Sequence, residues 1–85
     1  MAFHSKHLEY TVYPPNFKPE MVCWDFWVFT KAQLAAKKFG IGARIRRYVN
    51  RDTKDGEFDF WVDRVWEWNG NRFVNITQDA SKLFP

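Results

Sequence analysis

Cysteine is nearly absent from this chain of 85 residues, which has Cys23 as its single thiol. One thiol cannot build the intrachain disulfide framework that stabilises most small secreted domains. The chain also has no apolar run at its N-terminus, no hydrophobic stretch long enough to cross a membrane and no lipidation motif. We therefore expect a cytoplasmic protein that does not associate with membranes.

Residue patterns that carry catalysis or bind metals are missing as well. The sequence has no phosphate-binding, nucleophile-elbow or zinc-protease motif. His4 and His7 have a chelating spacing, but no second pair of ligands is present to complete a tetrahedral site. Cys23 lies within an aromatic run, where a buried, inert thiol is expected. We therefore predict a non-enzymatic protein without a metal or a cofactor.

Aromatic residues, in contrast, are abundant. Nine Phe, five Trp and three Tyr make up 20% of the chain. Large rings allow a short chain to form a dense core, and the length suits a single small domain over residues 1–85. A core of this size cannot hold all of these rings, so we expect the remaining ones to form a contact surface.

The hydrophobic periodicity predicts an α+β fold in which a small antiparallel sheet has one short helix packed on one face. The predicted order is β-β-α-β-β-β, with strands over 8–13, 23–29, 43–50, 57–68 and 71–77 and a helix over 31–39. Ala32, Ala35, Ala36 and Phe39 form one apolar stripe at helical spacing. We expect Thr30 to cap the start of this helix, Gly40 to end it, and the aromatic strand before it to be buried.

The pair Asn69-Gly70 predicts a two-residue type I′ hairpin turn that places Trp66 opposite Phe73. Trp66 then lies on the core side of its strand. Arg64 falls on the same side, where a charged residue is unexpected, so it lies at the sheet edge, extends outward to solvent or marks a β-bulge. The opposite side should carry Arg44, Arg46, Tyr48 and Trp61 together. One helix covers one face of a sheet, so this second face is either covered by residues 1–29 or exposed.

The first functional hypothesis is a protein-binding module whose partner is another protein or a protein complex. Trp, Tyr and Arg are the residue types that anchor protein interfaces. The candidate contact residues are Arg44, Arg46, Tyr48, Trp61 and Arg72, and a homodimer would use the same set. In general character, the chain resembles small phage and mobile-element proteins that act as inhibitors or adaptors of larger machines.

The alternative hypothesis is a small basic protein that binds nucleic acid. Residues 31–51 include seven basic residues and no acidic one, in a chain of net charge +3. The candidate phosphate contacts are Lys31, Lys37, Lys38, Arg47, Arg51 and Lys54. The predicted strand pairing weakens this hypothesis, because it puts Asp59 and Asp63 beside Arg44 and Arg46, where they would repel phosphate.

Overall fold

The computed structural model describes residues 6–18, 20–52 and 58–77 and confirms the α+β prediction. Its helix and strands, in chain order, are β1 (Lys6–Tyr13), β2 (Trp24–Phe26), α1 (Phe29–Phe39), β3 (Arg44–Asp52), β4 (Phe58–Trp68) and β5 (Phe73–Asn75). The strands form one antiparallel sheet in the order β2-β1-β3-β4-β5, and α1 packs on one of its faces. Strand β1 therefore occupies an interior position, and β2 lies at an edge.

The core lies between α1 and the sheet. Val12 of β1 and Ile45 of β3 are fully buried against Ala32 and Ala36 of the helix. The small alanine side chains let the helix backbone approach the sheet closely, as their spacing predicts. Aromatic rings fill the remaining space, and the Phe29 ring centroid lies 5.2 Å from that of Tyr10 and 4.6 Å from that of Trp66.

The predicted end of the helix is confirmed, whereas the predicted start is wrong. Gly40 follows the last helical residue with a φ of 102°, and its N–H donates to the Ala36 carbonyl. The helix begins at Phe29, before Thr30, and its N-cap residue Val28 makes no side-chain capping hydrogen bond. Burial of the Phe29 ring in the core outweighs the capping preference of Thr30, which is worth only about 1 kcal/mol.

The prediction of a buried aromatic strand before the helix is also wrong. Strand β2 has only three residues and pairs along one side, with β1. Trp24 is exposed, and so is Cys23, which was expected to be buried. Strand β1 and the helix already enclose the core, so a continuous apolar run at the sheet edge has no second layer to bury its outer side.

A β-bulge in strand β4 shifts the alternation of its side chains by one residue, so positions past the bulge lie on the opposite face from the one that an unbroken strand would give them. Arg47 pairs with Arg64, but the next residue of β3, Tyr48, pairs with Val62, so Asp63 is one extra residue. The predicted unbroken alternation along β4 is therefore wrong, and the bulge, one of the three explanations for Arg64, is present at the neighbouring Asp63. Past the bulge, Trp61 pairs with Val49 and lies on the helix side of the sheet.

The hairpin between β4 and β5 has a register two residues away from the predicted one. Trp68, not Trp66, pairs with Phe73, so the two turn residues are Gly70 and Asn71. In this loop only Gly70 has a positive φ, 94°, which is the pattern of a type II′ turn and not of type I′. The Asn69 side-chain oxygen accepts hydrogen bonds from the N–H groups of Asn71 and Arg72, as is common for an asparagine just before the two turn residues.

Candidate protein-binding surfaces

The predicted partner contacts do not form a single patch. Arg44, Arg46 and Tyr48 share the sheet face opposite α1, here called the second face. Trp61 lies on the helix side because of the bulge, and its side chain is 41% exposed. Arg72 is exposed in the β4–β5 turn. The structure therefore brings three of the five residues together and separates the other two from them.

At the centre of the second face, Arg46 forms a buried cluster with two tyrosines. It is only 5% exposed, and its Nη1 donates to the hydroxyl oxygens of Tyr13 and Tyr48 at 3.5 and 3.4 Å. The guanidinium carbon lies 4.6 Å from the Tyr13 ring centroid, an arrangement typical of a cation–π contact. Burial raises the pKa of Tyr13 well above its ordinary value, and the hydrogen bond with Tyr48 raises it further. This cluster stabilises the sheet and leaves Arg46 little surface for a partner.

The segment that follows β1 folds over part of the second face. The Phe17 ring packs edge-on against Tyr13, with 4.9 Å between the ring centroids. Residues 14–17 and the sheet enclose a groove of about 350 Å³, whose lining includes the ion pair of Arg44 and Glu67, 3.1 Å apart. Of the two alternatives for this face, coverage by residues 1–29 and exposure, coverage therefore applies where residues 14–17 lie. Farther along the same face, Val65 is also fully buried.

A different surface is formed where β2 meets the helix. Trp24 and Phe26 pair with Val12 and Tyr10, whose side chains lie in the core under α1, so both aromatic side chains lie on the helix side. An apolar groove of about 320 Å³ opens between β2 and the helix, and its lining is Trp24, Phe26, Ala35, Lys38 and Phe39. These five residues, together with the adjoining Trp27, are here called the edge surface.

Large apolar side chains are unusually exposed around the edge surface. Trp24 is 55% exposed and Trp27 is 71% exposed. Six of the nine exposed large hydrophobic residues in the described part of the chain lie within residues 21–34, which contain β2 and the start of α1, namely Met21, Val22, Trp24, Trp27, Val28 and Leu34. Sequence reasoning expected a surplus of aromatic residues at a contact surface but did not locate it here. The signal was available, because four consecutive apolar residues over 26–29 cannot all be buried when only one face of the sheet is covered.

The helix beside this surface carries positive charge only. Its sequence includes Lys31, Lys37 and Lys38 and no acidic residue. Lys31 is four residues before Ala35 and seven before Lys38, so helical spacing places it along the same side of the helix as the groove. Lys37 lies elsewhere on the helix, with its Nζ 5.3 Å from the Trp68 ring centroid. The edge surface is therefore apolar with a basic border.

Among the described side chains predicted to contact nucleic acid, Arg47 is already paired with a carboxylate, and Lys31, Lys37 and Lys38 lie on the helix. Arg47 forms two parallel hydrogen bonds with the carboxylate of Asp63, at 2.8 and 2.6 Å. These bonds raise the pKa of Arg47 and lower that of Asp63. The predicted pairing of Arg44 or Arg46 with Asp63 is wrong, since the bulge brings Asp63 to Arg47 and leaves Arg44 with Glu67. The Arg51 side chain and Lys54 lie outside what the structure describes.

Within residues 6–18, 20–52 and 58–77, no group of three or more His, Cys, Asp or Glu residues has the arrangement of a metal site. His4 and the side chain of His7 lie outside the described part of the chain. In that same part, the helix falls short of the length and apolar character that crossing a membrane would need.

Comparison of the chain with models of protein families, with curated proteins and with solved structures finds no match.

Proposed function

We propose that this protein is a non-enzymatic protein-binding module that engages its partner through the edge surface. The observation that carries the proposal is the exposure of two neighbouring tryptophans, Trp24 at 55% and Trp27 at 71%, beside an apolar groove. Solvent contact of two indole rings is unfavourable by itself, and tryptophan is the residue type most enriched among the residues that dominate binding energy.

The other edge of the sheet supports this choice by contrast. Strand β5 is also three residues long, but none of the exposed large hydrophobic residues of the described chain belongs to it. Its surroundings are polar, with Arg72 and Asn75 exposed. A polar, short edge is how proteins usually prevent unwanted strand pairing. The two edges of one sheet therefore differ in the way expected if β2 alone receives a partner.

Nucleic-acid binding remains the second candidate, and the charges favour it less. The Arg47 guanidinium already binds a carboxylate, so pairing with phosphate would require breaking two charge-assisted hydrogen bonds.

We further propose that the partner belongs to a larger macromolecular machine that this chain inhibits or links to another component. A cytoplasmic location would suit the exposed, single thiol of Cys23.

The proposal is tested by affinity capture with the tagged full-length chain, run with and without nuclease. Three proteins are compared: the parent, the double variant Trp24→Ala/Trp27→Ala, and the control Trp61→Ala. The control also removes a tryptophan, 41% exposed, but from a site away from the edge surface. We expect a captured protein to survive nuclease and to be retained by the control. The double variant should lose it, with affinity for the purified partner falling about a hundredfold or more.

Two results would contradict the proposal. Equal capture by the double variant and by the parent would show that the edge surface is not the interface. Loss of the captured material on nuclease treatment would favour nucleic acid, and a steep fall of affinity with rising salt would then identify phosphate contacts. Circular dichroism spectra of all three proteins establish that folding is intact in each.

A further inference from the structure

We infer that the partner supplies an extended segment that adds to the outer edge of β2 as a further strand, and that acidic residues accompany the apolar residues of this segment. The inference rests on the proposed function, since it names the occupant of the same edge surface. It specifies a mode of binding, strand addition, and a chemical class of partner, an acidic and apolar peptide segment.

Strand β2 lies at the edge of the sheet. It pairs with β1 on one side, and within the described residues no strand pairs with its other side. The N–H and C=O groups along such an edge are ready to bond to another extended chain. An added strand continues the pleat of the sheet, so every second side chain would lie on the helix side, next to Trp24 and Phe26. Those side chains would enter the groove of about 320 Å³.

The helix that borders the groove is positively charged. Lys38 contributes to the groove lining, Lys31 follows the same side of the helix, and α1 has no acidic residue. The side chains of an added strand that lie on the helix side run beside this basic border. Carboxylates on that strand would be attracted to the lysines, whereas lysine or arginine at the same places would be repelled. Of two extended segments that are equally apolar, the acidic one should therefore bind more tightly than the basic one.

The same charges argue against a second copy of the chain as the occupant. Two copies joined edge to edge by antiparallel β2 strands would be related by a two-fold axis perpendicular to the sheet. Both helices would then lie on the same face near the axis, with Lys31 and Lys38 of each copy near those of the other. The register centred on β2 would also place Asp25 directly opposite its own copy, and like charges in that position destabilise strand pairing.

A display library of random peptides, selected against the full-length protein, tests the inference. We expect selected peptides to alternate apolar with polar positions, to contain Asp or Glu in excess over Lys and Arg, and to lack internal proline, which removes a backbone donor. Repeating the selection with Lys31→Glu/Lys38→Glu should reverse the charge preference, and parent-selected peptides should bind this variant about tenfold more weakly or worse. The control is Lys37→Glu, which changes the charge by the same amount as each of those two substitutions, beside Lys38 but next to the Trp68 ring. It should bind those peptides almost as well as the parent.

Several outcomes would overturn the inference. These are the absence of any selected peptide, a selection without acidic bias, tolerance of internal proline, and equal weakening by Lys37→Glu. A concentration-dependent dimer, seen by light scattering and abolished by Trp24→Ala/Trp27→Ala, would identify a second copy as the occupant instead. The proposed function has its own test, the capture experiment. It is contradicted if Trp24→Ala/Trp27→Ala captures the partner as well as the parent does. If the double variant loses the partner while the selection shows no acidic bias, the surface is correct and the occupant is not.

Discussion

Arg47 and Asp63 are joined by two parallel hydrogen bonds, of 2.8 and 2.6 Å, at the point where the pairing of β3 with β4 shifts by one residue. The extra residue of the bulge is Asp63 itself, so the bulge and the ion pair depend on each other. A bidentate pair of this kind fixes both the position and the orientation of the guanidinium. The ion pair thus stabilises the bulge, and the bulge places Trp61 on the helix side of the sheet.

The first prediction is that Asp63→Asn lowers the free energy of unfolding by about 1 kcal/mol near neutral pH. The hydrogen bonds from Arg47 hold the folded-state pKa of Asp63 below its ordinary 3.8, so the unfolded chain binds this proton more tightly. The contribution is therefore complete well above that value and is lost as the pH falls through the folded-state pKa. Urea unfolding at several pH values should show the parent and variant converging in acid. A constant difference down to the lowest pH would contradict the assignment.

The second prediction concerns Gly42, which lies against residues 14–17, the segment that covers part of the second face. Gly42 has a φ of 97°, and a Cβ placed there would lie 3.3 Å from the Pro15 Cβ. Gly42→Ala should cost about 1–3 kcal/mol, because alanine rarely adopts this backbone conformation and the proline must also move. Gly40→Ala is the control, since Gly40 has a similar φ of 102° but no neighbour within 4 Å of its Cβ position. Thermal melts should show a larger loss for Gly42→Ala, and equal losses would mean that Pro15 does not pack there.

The third prediction is that Gly70→Val lowers the melting temperature, at a cost of about 1–3 kcal/mol for the strained turn position. Gly70 has a φ of 94°, and a Cβ there would lie 2.9 Å from the Ile41 Cδ1. Asn71, the other turn residue, has no positive φ, so Asn71→Val should cost clearly less. Circular dichroism melts of both variants measure the two effects. An unchanged midpoint for Gly70→Val would mean that the turn is wrongly placed.

The strands and helix were largely predictable, because each has a local pattern. The stripe of Ala32, Ala36 and Phe39 repeats at the helical period, and Gly40 supplies the positive φ that ends the helix. The strand β3 alternates clearly enough that Ile45 and Val49 were assigned to the core correctly. These features depend on a few neighbouring residues, which is why the sequence alone reveals them.

The candidate site was not predictable to the same degree, because its position depends on long-range choices. One extra residue at Asp63 reverses the side on which Trp61 lies, and no local pattern distinguishes that bulge from an unbroken strand. Similarly, an apolar run such as residues 22–29 suits a buried central strand. Only the sheet order, with β1 inserted between β2 and β3, shows that Trp24 and Trp27 lie at an edge.

The last prediction separates tryptophans that support the fold from those available to a partner. Trp27 is 71% exposed, so Trp27→Ala should change the free energy of unfolding by no more than about 0.5 kcal/mol. Trp66 packs against the rings of Tyr10 and Phe29, and Trp66→Ala should cost about 3 kcal/mol, the lower end of the range for a buried tryptophan. Urea titrations of both variants, followed by far-ultraviolet circular dichroism, measure the two effects. A comparable loss for Trp27→Ala would mean that its ring is needed for folding. The edge surface would then lose the residue that most strongly indicates a binding site.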